Sequence, residues 1–134
     1  LYESNGNIAQ ISYNGIVLAS YLWGYNGKYP IVEALNTDFA TLSRIAESAG
    51  FSRAGISLIY DDKSLTSLFN SIRENLPEAK ITTLKYHWLT GIAEKTDCDG
   101  TSTFFSYDKF GRLDGIKDFN EFCIKKFEYK YRLK

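Results

Sequence analysis

The chain alternates between short segments rich in β-branched and aromatic residues and closely spaced turns that contain Gly or Asn. Such segments are typical of β-strands. Strands are predicted near residues 7–13, 16–23, 30–35, 80–88, 91–96, 101–107, 112–117 and 122–131. Turns this close together leave no room for the crossovers that parallel strands need. The pattern therefore predicts antiparallel hairpins on both sides of a different central segment.

The central segment has helical periodicity. Thr37 is predicted to cap a first helix that Gly50 ends. Asp61 or Asp62 is predicted to cap a second helix that ends before Pro77. Apolar positions recur about every 3.6 residues: Phe39, Leu42, Ile45, Ala46 and Ala49 in the first helix, and Leu65, Leu68, Phe69, Ile72 and Leu76 in the second.

These segments predict a single α+β domain over residues 1–134, a length that suits one core. Its parts are hairpins over 1–35, a two-helix insertion over 36–77, and hairpins over 78–134. The helices are expected to pack on one side of the antiparallel meander or against its end. Residues 51–60 join the two helices and fit neither pattern.

The stretch SYDKFGRLDGIKD, residues 106–118, predicts a hairpin corner. Asp108 stands at the first position of a type I turn, where its carboxylate can accept a backbone N–H. Gly111 stands where the chain needs a positive φ, which predicts a hairpin with a G1 bulge. Tyr107 ends one strand, and Leu113 lies in the next.

The corner recurs along the chain. Residues 2–11 align without gaps on residues 107–116, with Tyr2, Gly6 and the final Ile identical in both. These identities fall on positions that the turn requires. Further turn signals are Asp97-Cys98-Asp99-Gly100, Asp118-Phe119-Asn120-Glu121, Tyr13-Asn14-Gly15 and Tyr25-Asn26-Gly27.

The corner from Tyr107 to Leu113, followed by Ile116-Lys117-Asp118 and later Tyr129, resembles the YD repeat of the RHS family. The segments YLWGYNGKYPIVEAL (21–35) and SLTSLFNSIRENLPEAKITTLKY (64–86) are similar to a C-terminal module of large RHS-repeat proteins of Bacteroides-like bacteria. The resemblance spans nearly the whole chain.

This resemblance implies a non-catalytic structural module of a larger exported or cell-envelope protein. Strand-turn-strand units would build or close a β-sheet assembly, and the rest of the full-length repeat protein would be the partner. Cys98, Phe119 and Glu121 depart from the residues usual at such corners. The last repeat is therefore expected to be degenerate, as terminal repeats often are.

Composition and charge narrow the function classes. Apolar residues make up 44% of the chain and charged residues 24%, as in ordinary globular proteins. The formal net charge is zero, so electrostatics favour neither nucleic acid nor an anionic membrane. The apolar runs are too short to span a bilayer. No signal peptide is visible, so the residues themselves leave the compartment open.

Three features could carry chemistry, and each has a structural interpretation that we favour. His87 is the only histidine and would have to serve any catalytic triad, but it lies in a predicted strand among aromatic residues. Asp97 and Asp99 resemble the start of a calcium loop without its later ligands. Asp61 and Asp62 could form an acid pair, but they fit helix capping. We therefore predict no enzyme, catalytic residue, metal site or cofactor.

Aromatic side chains are the main signal for binding. Trp23, Tyr25, Tyr86 and Trp88 would form a platform for a sugar or a partner if they were exposed together. The interpretation we favour places them in the core between the sheet and the helices. A carbohydrate- or partner-binding module is therefore the alternative function.

The two outer strands differ in how they would behave as sheet edges. Strand 122–131 alternates basic and aromatic residues, a pattern that fits nucleic-acid binding or a strand with one solvated face. The neutral net charge favours the strand, in which Lys125, Lys126 and Lys130 would protect the edge. Strand 7–13, near the start of the chain, is the edge expected to pair with another copy.

The two cysteines match no metal-binding spacing. Cys98 lies in a predicted turn and Cys123 in a predicted strand. A disulfide between them would need an exported protein and suitable geometry. The sequence leaves their redox state open.

Overall fold

A computed structural model describes residues 1–3, 5–52, 55–56, 61–87, 90–118 and 123–126, the last segment by its backbone alone. These residues form eight strands and two helices of ten and 14 residues. The elements are β1 Gln10–Tyr13, β2 Ile16–Gly24, β3 Tyr29–Leu35, α1 Phe39–Ser48, α2 Asp62–Asn75, β4 Lys80–His87, β5 Gly91–Thr96, β6 Ser102–Tyr107, β7 Leu113–Asp118 and β8 Cys123–Lys126. The described strand pairs are antiparallel and join chain neighbours. The predicted α+β class, an antiparallel meander with two helices, is confirmed.

The chain forms two compact units, Leu1–Thr83 and Leu84–Lys134. The first unit holds β1 to β3, both helices and the first half of β4. The second unit holds the rest of β4 and strands β5 to β8. Both helices lie inside the window 36–77 that the periodicity indicated.

The helices of the first unit pack on one face of its sheet. Gln10 Oε1 accepts a hydrogen bond from the backbone N–H of Phe39, at the start of α1, at 2.8 Å. Arg73 of α2 donates from Nη2 to Thr83 Oγ1 at 3.1 Å. The cross-strand register places one row of residues on this face: Gln10, Ser20, Ala34 and Ile81. Thr83, two residues beyond the row, points the same way.

The core of the first unit is built mainly from the predicted apolar stripes. The buried helix residues are Phe39, Leu42 and Ala46 of α1 and Leu65, Leu68, Phe69 and Ile72 of α2. Ile31, Val32 and Ile81 contribute fully buried side chains from the sheet. The amphipathic period thus identifies which side of each helix loses contact with water.

Asp38, and not Thr37, caps α1, so that prediction was wrong. Asp38 Oδ1 accepts from the N–H of Thr41 at 2.7 Å, and hydrogen bonds from the side chain and then the backbone of Thr41 lower the pKa of the Asp38 carboxyl. Thr37 Oγ1 instead donates to the carbonyl of Leu35 at 3.3 Å. Both residue types can cap, and the sequence does not say which of two neighbours stands immediately before the first helical residue.

Asp61 caps α2. The sequence predicted either Asp61 or Asp62 at this position. Asp61 Oδ2 accepts from the N–H of Ser64 at 2.8 Å, and hydrogen bonds from the side chain and then the backbone of Ser64 lower the pKa of Asp61. Because the folded pKa lies below the unfolded value, the cap contributes above the unfolded pKa and is lost as the pH falls. Gly50, with φ of 95°, follows the end of α1, which confirms the predicted stop.

Strand β1 begins at Gln10 and not near residue 7. Before it, Tyr2 and Ile8 form an isolated bridge. The Leu1 carbonyl accepts from both Ala9 and Gln10, at 2.9 and 3.2 Å, which interrupts a regular ladder. The bounds of β2 to β7 lie within one residue of the predicted ones.

Candidate functional site

Three of the predicted corners close with the same pair of backbone hydrogen bonds. In each, the first residue donates to the carbonyl four residues ahead, and the glycine donates back to the carbonyl of the first residue. The corners span residues 3–7, 97–101 and 108–112, and all six distances lie between 2.8 and 3.0 Å. Gly6, Gly100 and Gly111 have φ of 91°, 86° and 79°. The predicted left-handed glycine is thus present at all three positions.

The side chain of Asp108 braces the third corner. Its Oδ1 accepts from the backbone N–H groups of Phe110 and Arg112 at 2.8 and 3.0 Å. Its Oδ2 accepts from Arg112 Nε at 2.9 Å. Loss of water contact acts to raise the pKa of Asp108, but the bonds from Arg112 and Phe110 outweigh it and lower the pKa. The carboxylate of the Tyr-Asp pair is therefore occupied in holding the turn.

The other two corners are braced from their third residue. Asn5 Oδ1 accepts from the N–H of Asn7 at 3.0 Å, and Asp99 Oδ1 accepts from the N–H of Thr101 at 2.9 Å. The latter bond lowers the pKa of Asp99. Within the described ranges, no group of three or more His, Cys, Asp or Glu side chains converges as a metal site would require. The two backbone hydrogen bonds that close residues 97–101 make the Asp97 corner a turn.

Tyr107 anchors the third corner to a neighbouring strand. Its hydroxyl donates to the carbonyl of Ile92 at 2.7 Å, and burial raises its pKa. The ring centroids of Tyr107 and His87 lie 5.5 Å apart, in an edge-to-face arrangement. A Cβ added at Gly91 would lie 2.7 Å from the Tyr107 hydroxyl oxygen. Tyr2, the aligned residue of the first corner, is 69% exposed, so the two tyrosines differ in environment.

A shallow cleft of about 270 Å³ lies beside the third corner and is lined by His87, Thr90, Tyr107 and Asp108. Its lining includes the imidazole of His87 and the carboxylate of Asp108, two side chains that can act as acid or base in catalysis. His87 Nε2 donates to the carbonyl of Phe105 at 3.2 Å. Asp108 is held by the turn, and the Tyr107 hydroxyl by Ile92. The cleft therefore presents groups that are already bonded within the fold.

The described members of the predicted aromatic platform are all at least partly buried. Tyr25 is buried. Its ring centroid lies 6.0 Å from that of Tyr29, in an edge-to-face arrangement. Trp23 is partly buried and donates from Nε1 to the carbonyl of Ile8 at 2.8 Å. Tyr86 is partly buried in the second unit. Trp88 lies outside the described residues.

Some predicted features cannot be placed. The variant corner 118–121 and most of strand 122–131 lie outside the described residues, apart from Asp118 and the backbone of β8. Cys98 is an exposed free thiol. The side chain of Cys123 is not described.

An apolar surface on the first unit was not anticipated from the sequence. Its most exposed members lie at the tip of the β1–β2 hairpin: Tyr13 and Ile16. The signal that could have found it is the absence of charged residues from 4 to 27. A surface hairpin without a single charge is unusual in a protein that does not use it as a contact.

No family model, curated protein or solved structure matches this chain. Neither described helix has the length and apolar character that crossing a bilayer requires. What the chain does must therefore be inferred from the corners, the cleft and the exposed surfaces themselves.

Replacing Gly111 with Ala should lower the free energy of unfolding by about 1 kcal/mol, because a side chain disfavours positive φ. A Cβ at this position would make only an ordinary contact, 3.5 Å from Thr90 Cγ2, so packing should add little. Gly111→Asn is the matched control and should cost less, because Asn tolerates the left-handed region. Urea denaturation measures both; equal stability of wild type and Gly111→Ala would contradict the assignment.

Proposed function

We propose that this chain is a non-catalytic structural module of the YD-repeat type. It would extend or close an antiparallel β-sheet assembly within a larger exported or cell-envelope protein. The observation that carries the proposal is the identical closure of three corners, at residues 3–7, 97–101 and 108–112. Recurrence of one turn geometry along a meander is how repeat modules propagate a sheet.

The state of the reactive side chains also supports a structural role. Asp108, Tyr107 and His87 all bond to backbone groups of the hairpins. Catalysis requires a nucleophile or paired acids that converge on a substrate position. Side chains that are already bonded to the backbone are poorly suited to that task. A structural role therefore explains the positions of these three residues.

The alternative of carbohydrate binding has less support. A stacking platform needs ring faces that are open to a sugar. Trp23, Tyr25 and Tyr86 are at least partly buried, and Trp23 is also fixed by its hydrogen bond to the Ile8 carbonyl. We therefore place the structural module first.

The proposed function is tested with broad panels of glycosidase, esterase and protease substrates, run on wild type and His87→Ala. Both proteins should be inactive. Activity of the wild type that His87→Ala abolishes would overturn the proposal, because it would assign the cleft beside Tyr107 to catalysis. A glycan array on the same samples should also be blank, and specific binding lost in Trp23→Ala would favour the carbohydrate alternative.

A further inference from the structure

The sheet face of the first unit that points away from the helices carries an apolar patch, defined by Ile11, Tyr13, Ile16, Ala19 and Leu35. Gln10 bonds to the start of α1, so Ile11, the next residue of β1, points to the opposite face. Cross-strand pairing sets Ile11, Ala19 and Leu35 in one row. The register shifts between Ile11 and Ser12, and beyond this irregularity Tyr13 pairs with Ile16 in the next row on the same face, toward the hairpin tip.

The apolar patch places large side chains next to a small one. Tyr13 and Ile16 are 69% and 63% exposed, whereas Ala19 is 6% exposed. Ile11 and Leu35 stand on either side of Ala19 and are 39% and 36% exposed. Ala19 is therefore the floor of a furrow, and Ile16 is a ridge one row away on the same strand.

The ridge at Ile16 and the furrow at Ala19 make the surface of the apolar patch complementary to that of a second copy. Two copies can pack patch to patch around a two-fold axis that lies between the two sheets and runs perpendicular to the strands, midway between the two rows. This rotation sets the Ala19 row of each copy over the Ile16 row of the other. Ile16 of each copy then lies over Ala19 of the second copy, and Tyr13 lies over Ile11. Such reciprocal contact is the isologous pattern of two-fold dimers, and sheets packed face to face interdigitate their side chains in this way.

The charges around the patch favour a second copy over a charged partner. Among the paired strand residues, its border carries the acid Glu33, in the row beyond Ala19, and the base Lys80, at the end of the Leu35 row. Among the residues that the structure describes, this face carries no basic cluster that would attract an anionic lipid or nucleic acid. Interface cores are likewise depleted of charged residues, so two copies can meet without burying an unpaired ion.

We infer that this chain forms a two-fold dimer by face-to-face packing of the apolar patch. The patch lies outside the corners on which the proposed function rests, so either proposal can fail without the other. The contact also differs from in-plane pairing of edge strand β1, which the sequence alone indicated.

Sedimentation velocity of the full chain over a range of concentrations tests the dimer. Ile16→Lys should weaken self-association roughly tenfold or more, because the new ammonium would be buried in an apolar furrow. Ser12→Lys is the matched control, since Ser12 is exposed on the same hairpin and points to the other face. It should leave the association constant at the wild-type value, and circular dichroism should show that both variants are folded.

A charge pair tests the geometry. Leu35→Glu alone should also weaken the dimer, but combined with Ile16→Lys in one chain it should restore much of the association. In the dimer the new lysine of one copy lies beside the new glutamate of the other. Four results would overturn the inference: a monomeric wild type at every concentration, equal weakening by Ser12→Lys, no recovery in the double variant, or a monomer that instead cosediments with neutral phosphatidylcholine vesicles.

Discussion

Replacing Leu68 with Ala should lower the free energy of unfolding by about 2–5 kcal/mol. Leu68 is fully buried in the middle of α2, on the side that packs in the core of the first unit. The substitution removes apolar contact and leaves a cavity that the surrounding side chains fill only in part. This loss would be a large share of the stability that a domain of this size usually has.

Leu1→Ala provides the matched control for Leu68→Ala, because the Leu1 side chain is 66% exposed. Its cost should stay within about 0.5 kcal/mol, as for most surface substitutions. Urea denaturation followed by circular dichroism gives both values, with the slope of the transition as a check on two-state behaviour. If the two leucines cost the same, the assignment of the buried side of α2 is wrong.

Gly91→Ala should cost about 1–3 kcal/mol for a reason unrelated to backbone conformation. The added Cβ would lie 2.7 Å from the Tyr107 hydroxyl oxygen and 3.3 Å from Cζ. The tyrosine would have to move and would weaken its 2.7 Å hydrogen bond to the Ile92 carbonyl. A methyl group at one glycine thus disturbs a contact that joins two strands.

A double-mutant cycle separates this effect from a general intolerance at Gly91. Tyr107→Phe removes the hydroxyl group that the new methyl would meet, so part of the Gly91→Ala penalty should disappear in that background. The coupling should be on the order of 1 kcal/mol, as for residues in direct contact. Penalties that simply add in the double variant would show that the hydroxyl is not the obstacle.

Features that depend on residues close together in the chain, such as turns and the buried side of a helix, could be predicted from the sequence. The corner glycines were predictable because positive φ is costly for other residues, and Gly6, Gly100 and Gly111 all have it. The buried side of each helix followed from its apolar period. Thr37 and Asp38 could not be ranked as caps, because either side chain can accept the N–H at that helix end.

The features that depend on contacts distant in the chain could not be predicted. The bond from Tyr107 to Ile92 joins residues 15 apart, and nothing near Tyr107 in the sequence specifies its acceptor. The exposure of Ile16 depends on which sheet face the helices cover, and the strand pattern leaves that choice open. The family resemblance stays a prediction. Its structural consequence, that the corners are interchangeable, can be tested directly.

The most direct measurement exchanges the middle residues of two corners within one chain. Lys109→Cys and Phe110→Asp are combined with Cys98→Lys and Asp99→Phe, so composition and charge are unchanged. At position 110 the transplanted Asp would share the N–H of Arg112 with Asp108 Oδ1, which accepts from it at 3.0 Å, whereas Asp99 Oδ1 accepts from the N–H of Thr101. If the corners are interchangeable structural units, urea denaturation should give a stability within about 1 kcal/mol of wild type. Failure to fold, or a loss well beyond that of Gly111→Ala, would contradict a module built from equivalent corners.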